Sequence, residues 1–220
     1  MLKQNLKFLL KEHIRIYKFL RKGKFIVKGQ DNTIRNHAYS LKGCVFRICG
    51  NRNLIEIAEG VNFKNVQIDI HGDGHVLIIH KDVRIREGGR IRIDDMRNKL
   101  EIGQDTSIVN VYFSLQDNDT SIIIGERCLF STKITFRTSD SHSVIDCSSG
   151  KRINPGKNIE VGNHVWIGNG VTILKGVIIG NNSIIGTCSL VTKNIGDNCL
   201  AVGIPAKVVK TGINWDKKRI

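Results

Sequence analysis

Prolines are almost missing from this 220-residue chain, with two in all, and aromatic residues make up only 6% of it. Set against twenty-two glycines and many β-branched residues, that shortage favours short strands and tight turns over helices. With 40% apolar residues and few rings, the core is expected to consist of Ile, Val and Leu. The six cysteines, at 44, 49, 128, 147, 188 and 199, include no C-x-x-C pair and no Cys/His set at zinc-finger spacing. That pattern argues against a disulfide framework. Long apolar runs are lacking as well: Lys3, Lys7, Lys11, Arg15, Lys18, Arg21 and Lys22 break up the Leu-rich start, so neither a signal-peptide core nor a membrane span can form there. The expectation is a reduced, cytoplasmic, all-β protein of one domain, long enough to bury a real core.

Acidic residues are scarce too, and the net charge is +14. Residues 1–28 hold nine Lys or Arg against the single acid Glu12, so more than half of the excess lies in that arm. Leu2, Leu6, Leu9, Leu10, His13, Ile14, Tyr17 and Leu20 recur near helical spacing, which predicts an amphipathic basic helix over 2–21. Three roles are open to it: packing against the body of the protein, meeting anionic lipid at a membrane or an acidic polymer, or touching nucleic acid, the last not being expected. A positive field would gather acidic glycan near the protein. Residues 216–220 form a short basic tail.

Between arm and tail, residues 29–215, one period dominates. Residues 161–196 divide without a gap into "VGNHVW", "IGNGVT", "ILKGVI", "IGNNSI", "IGTCSL" and "VTKNIG", each opening on Val or Ile. Six is the period of neither a helix nor a strand, so one hexad is one short strand plus one turn, a side of a prism, with three hexads to a coil. The first residue points inward and stacks on its equivalents, while Gly in second place is expected to free the turn backbone. Upstream, coil-like starts fall at Ile57, Ile79, Ile102 and Ile124, spaced 22, 23 and 22 residues. From Ile124 to Val161 the interval is 37, so a segment at about 138–157, "TSDSHSVIDCSSGKRINPGK", must leave the prism. A long excursion from a rigid solenoid is where function is usually placed.

These hexads, together with "TSDSHSVID", "GKRINPGKNIEVGNHVWIGNGVTILKGVIIG" and "AVGIPAKVVKTGINW", resemble the hexapeptide-repeat acyltransferases, and among them the capsular polysaccharide and polysialic acid O-acetyltransferases. The resemblance is specific over about residues 100–215, looser over 40–100 and absent from the arm. It implies a left-handed parallel β-helix, a homotrimer with active sites between subunits, acetyl-CoA as co-substrate and a sugar hydroxyl as acceptor. It places the catalytic histidine at His142, with Asp140 two residues before it, and an important tryptophan at Trp166. It places CoA along Gly168, Gly186, Thr187, Ser189, Lys193 and the Pro205, Ala206, Lys207 turn, with Thr187 and Cys188 standing where relatives carry Ala and Gly.

The chemistry suits those residue types. A sugar hydroxyl must lose its proton as it attacks a thioester, and an imidazole is the side chain suited to take it near neutral pH. Asp140 is expected to hold the other ring nitrogen, and direct transfer in a ternary complex needs no cysteine nucleophile. Cys128, Cys147 and Cys188 are then expected to be small core residues. Trp166 precedes the inward Ile167 and should face outward, either as a contact between subunits or against the CoA arm or the acceptor. His164 is the second histidine by position, and His71, His75 and His80 read as corners of early coils. No metal is expected, because a zinc-type H-x4-H pair fails where Asn169 follows His164. Two other functions stay open: N-acetylation of a nucleotide-linked amino sugar, and a catalytically silent solenoid that binds polyanions.

Overall fold

The computed structural model describes residues 22–219, so the helix expected over 2–21 lies outside the described residues. Among the described residues there is no helix. The strands stack into three parallel sheets that form the faces of a triangular prism. Face A has eight strands, from Lys24–Lys28 to Leu190–Val191, and face B seven, from Thr33–Asn36 to Ile178–Ile179. Face C has nine, from Ser40–Lys42 onward, and ends in an antiparallel hairpin of Cys199–Gly203 with Ala206–Thr211. The solenoid therefore begins inside the stretch 1–28 that charge alone set apart, since Lys24–Lys28 pairs in register with Val45–Cys49.

The coil starts stack in one inward column on face B: Ile57, Ile79, Ile102, Ile124, Val161 and Ile179 are successive partners, each nearly or fully buried. Face A turns Phe46, Ile68, Ile91, Phe113, Phe136, Ile173 and Val191 inward. The core is not purely aliphatic, because its largest buried side chains are Phe46, Phe63, Phe113, Phe130 and Phe136. Phe113 stacks on Phe136 at 4.9 Å and Phe130 tilts against it at 5.7 Å. The wide early coils leave an interior that a column of Val or Ile would not fill. Each such side chain, fully buried, contributes about 1.5–3 kcal/mol.

The extra width sits at one corner. From face A to face B the inward path takes eleven residues from Phe46 to Ile57, from Ile68 to Ile79, from Ile91 to Ile102 and from Phe113 to Ile124, but six from Ile173 to Ile179. Buried polar side chains line this corner as a ladder. The Asn53 Oδ1 accepts the His75 N–H at 2.8 Å, the His75 Nδ1 accepts the Asn98 N–H at 3.1 Å, and the Asn98 Oδ1 accepts the Thr120 N–H at 2.7 Å. Each closes a backbone donor that the wider turn leaves without a strand partner. His75, read as a corner of an early coil, is thus a buried rung at that corner, only 1% exposed.

The glycines in second place of the hexads serve close approach. Gly162, Gly168, Gly180 and Gly186 are absent from the positive-φ positions, which fall two residues later at His164, Gly170, Asn182 and Cys188. A Cβ on Gly168 would meet the Thr187 backbone nitrogen at 2.7 Å, and one on Gly180 would run into the Asp197 Oδ1. Coils separated by a strand spacing have no room for it there.

Candidate active site

At the corner that carries the five extra residues in early coils, the path from Phe136 to Val161 takes twenty-five. The excursion leaves after the strand Ile134–Arg137 and rejoins at Ile159–Val161. Its tip is a short antiparallel hairpin, with Ile145 bridged to Arg152. The Asp146 carboxylate accepts from the Ser148 and Ser149 hydroxyls and the Ser149 N–H, which draw its pKa down to about 2.

Two carboxylates clamp the excursion to the corner. Asp117 accepts both Arg152 Nη atoms, at 3.0 and 2.7 Å, the Gly156 N–H at 2.7 Å and the Ser139 hydroxyl at 3.2 Å. The Arg152 guanidinium holds the Asp117 carboxyl below the usual carboxylate range. Asp140 accepts the Lys175 ammonium at 2.5 Å and the Asn154 side-chain N–H at 2.8 Å, both on Oδ2, and Lys175 lowers its pKa. Asn154 also donates to the His142 carbonyl at 2.8 Å, and Lys175 to the Asn154 carbonyl at 2.9 Å. Ser141 is tied down by donating to Gln116 Oε1 at 2.6 Å and accepting from Arg137 at 3.0 Å.

The excursion backbone is therefore fixed on both sides of His142, while its imidazole is exposed and hydrogen-bonds to no described residue. Asp140 was expected to hold the His142 ring, and within this protomer it does not. Its Oδ2 serves the corner through Lys175 and Asn154, and its Oδ1 has no partner among the described residues.

Trp166 lies on face C, 41% exposed, so its ring points outward as the alternation with Ile167 requires. Face C is the side of the triangle opposite the corner that carries His142. Behind Trp166, the chain after the last hairpin folds back and buries Trp215. The Trp215 ring stacks on His164 at 4.2 Å and 9°, tilts against Trp166 at 6.0 Å, and donates its N–H to the His164 carbonyl at 2.8 Å.

The residues expected to meet CoA divide between two corners. Gly168, Gly186 and Thr187 stack at the corner between faces C and A, where a Cβ on Gly186 would meet Val202 at 2.5 Å. The Pro205, Ala206, Lys207 turn caps the hairpin that continues that edge. Lys193 instead follows Leu190–Val191, at the corner that carries the excursion and Lys175. Ser189 corrects the expectation. It is 1% exposed, and its hydroxyl donates to the Gly186 carbonyl at 2.7 Å and accepts the Gly203 N–H at 3.1 Å, so its one proton is engaged within the chain and its side chain does not reach the surface. Of Cys128, Cys147 and Cys188, only Cys128 fits the core role, its thiol pushed up to about 11 by burial, and Cys44 and Cys199 are buried in the core with it. Cys147, on the excursion, and Cys188, at a positive-φ corner, are exposed.

Sequence reading missed Asp117, Asn154, Arg152 and Lys175. Asn154 and Arg152 sit in the quoted "GKRINPGK", and Lys175 is the third residue of "ILKGVI", a hexad whose second place holds Leu174 and not glycine. Asp117 carried no local signal.

Residues 158–193 match the family described as bacterial transferase hexapeptide (six repeats). A polysialic acid O-acetyltransferase of Escherichia coli O1:K1 / APEC is 36% identical over 136 residues, 60% of this chain, and the match spans 44% of that relative's length. The crystal structure of the polySia specific acetyltransferase NeuO is 30% identical with a TM-score of 0.83, covering 90% of both chains. That of the polysialic acid O-acetyltransferase OatWY is 30% identical with a TM-score of 0.81, covering 90% of this chain and 92% of that one. Likeness over nearly the full length, joined to the stacked hexads and the clamped excursion, settles membership: the chain belongs to the hexapeptide-repeat acyltransferases, the left-handed parallel β-helix family of the polysialic acid O-acetyltransferases.

Proposed function

We propose that this chain is an acetyl-CoA-dependent O-acetyltransferase acting on a hydroxyl of a sugar in a capsular or other surface polysaccharide. It works in the cytoplasm as a homotrimer whose active sites are shared between subunits. The observation that carries this reading is the clamped excursion, which holds His142 outward with a free imidazole on a chain alike in fold to two polysialic acid O-acetyltransferases.

His142 takes the proton of the acceptor hydroxyl as its oxygen attacks the thioester carbonyl. The C–O bond forms, the tetrahedral intermediate collapses, the C–S bond breaks, and the imidazolium returns its proton to the leaving thiolate. Transfer is direct, because the thioester is already activated. Asp140 is a positioning residue that keeps the backbone around His142 fixed and, through its free Oδ1, is able to meet the imidazolium. The shared site is supported by the triangular section itself: the His142 corner and the Trp166 face of one protomer point in opposite directions, so two protomers are needed to bring them together. The cofactor is placed along the corner of Gly168, Gly186 and the exposed Thr187, where the glycines let the coils stack closely, with Lys207 at its end for a phosphate.

The test is release of CoA from acetyl-CoA by the purified protein against a panel of acidic and neutral oligosaccharides. An alkali-labile ester in the product is expected. An amide product on an amino sugar, or no release with any acceptor, would overturn the reading.

A further inference from the structure

Ser141, the residue before His142, has a φ of 68°, in the left-handed region that a side chain with a Cβ enters only at a cost. Among the non-glycine residues of the excursion it alone does so. Three hydrogen bonds hold it there. Its hydroxyl donates to the Gln116 Oε1 at 2.6 Å and accepts from the Arg137 guanidinium at 3.0 Å, and its N–H donates to the Ser139 hydroxyl at 3.1 Å. Gln116 in turn donates its side-chain N–H to the Asp94 Oδ2 at 3.2 Å. That carboxylate also accepts the Arg92 Nε at 2.6 Å and faces the His71 Nδ1 at 3.3 Å.

The charges at the two ends give this chain of bonds one direction. An ionised carboxylate only accepts, so Gln116 must turn its NH₂ to Asp94 and its carbonyl oxygen to Ser141. The Ser141 proton then points to Gln116, and its oxygen is left for Arg137. Donors thus run in order from the Arg137 cation through Ser141 and Gln116 to the Asp94 anion, an arrangement in which each bond polarises the next. Gln116 is itself a fixed post. Its N–H donates to the Thr138 Oγ1 at 3.0 Å, and its carbonyl accepts the Thr138 hydroxyl at 3.0 Å. Asp94, Gln116 and Thr138 follow the face A strands Gly89–Ile93, Val111–Leu115 and Ile134–Arg137 of three successive coils, so the chain reaches from the excursion two coils back into the regular prism.

We propose that Gln116 is a positioning residue for the transfer reaction, holding Ser141 in the left-handed turn that sets the direction of His142. The proposal rests on the reading of His142 as the base. The Asp117 and Lys175 clamps tie the limbs of the excursion to the corner, whereas Gln116 acts on the single residue next to the base, through its torsion. A base one residue beyond a loosened torsion loses its alignment with the hydroxyl, although nothing else in the fold has moved.

The test measures CoA release from acetyl-CoA by the full-length protein and its variants Q116M, S141A, S141G and Q116M/S141A, with the panel oligosaccharide that supports the fastest release. Q116M and S141A are each expected to lose about tenfold to a hundredfold in kcat, with KM for acetyl-CoA within about twofold and the thermal midpoint held. The double variant should be no slower than the worse single one, because the chain is already broken. S141G should stay slow as well, since glycine enters the left-handed region freely but gives Gln116 nothing to hold. Wild-type kcat in Q116M, losses that multiply in the double variant, or full recovery in S141G would each overturn the proposal. So would a lower thermal midpoint with a raised KM, the mark of general damage. Hydrogen exchange reads the same anchor without turnover: in Q116M the amides of residues 139–144 should lose protection while those of 161–196 keep theirs, and equal protection in both proteins would also overturn it. A protein that shows this local loss but releases no CoA with any acceptor would sink the enzymatic reading and leave the anchored turn standing.

Discussion

The Lys175 ammonium meets the Asp140 carboxylate at 2.5 Å across the corner between the excursion and the coil beneath it. Lys175 belongs to the regular hexads and Asp140 to the only long departure from them among the described residues, so this contact joins the rigid part of the molecule to the part that carries His142. Exchanging Lys175 for Met keeps the stem and removes the charge. The pair is partly exposed, so stability should fall by about 1 kcal/mol or less. Turnover should fall by roughly tenfold to a hundredfold, because a base displaced by an ångström loses its alignment with the hydroxyl. A kcat close to wild type, with thermal midpoint and KM for acetyl-CoA also unchanged, would show that the anchor is dispensable.

Asp117 is the second clamp, and a stronger one by the number of donors it accepts. Asp117→Asn leaves the shape and takes away the charge that faces Arg152. The cost to stability is expected at about 1–3 kcal/mol, the range for hydrogen bonds to a charged group. Hydrogen exchange should locate that cost: amides of residues 138–157 lose protection while those of the hexads 161–196 keep theirs. Loss spread evenly over the solenoid would refute a local clamp.

The buried ladder predicts a pH effect. Burial lowers the His75 pKa, the backbone contact to His71 opposing it in part. The ring accepts the Asn98 N–H on Nδ1, so its proton sits on Nε2, which faces the His71 carbonyl at 3.2 Å. Protonating Nδ1 would set two donors against each other. With the folded value depressed, the unfolded chain takes up a proton first as pH drops. Stability is therefore full above about pH 6.5 and falls below it, by at most about 1.4 kcal/mol per pH unit. His75→Asn puts an Oδ1 in the same rung, as Asn53 and Asn98 already do. Thermal midpoints measured between pH 7 and pH 5 should drop less in that variant than in the wild type, and parallel curves would contradict this account.

How far the sequence discloses all this differs by feature. The stacked column of Ile57, Ile79, Ile102 and Ile124 is legible because inward positions repeat at coil length, and each must find its equivalent above and below. The place of the excursion follows from the interval to Val161. The corner that holds the extra residues is not legible, since spacing counts residues per coil and not where in the coil they fall. The phenylalanine core was misread because composition averages over wide early coils and narrow late ones. Gly168 was expected for the right position with the wrong cause: it stands under the backbone of the next coil, and its φ is not positive. Asp117, Lys175 and Trp215 form contacts 35 to 51 residues away in sequence, a separation at which periodicity carries no information.

The site shared between subunits is tested most directly by complementation. His142→Ala and Trp166→Ala are each expected to be inactive, and the two variants can be expressed together and purified as mixed trimers. If His142 of one subunit works with Trp166 of the next, random mixing restores about a quarter of the sites, and CoA release should recover to about that share of wild type. Mixed trimers as silent as either parent would contradict the shared site and return both residues to one and the same protomer.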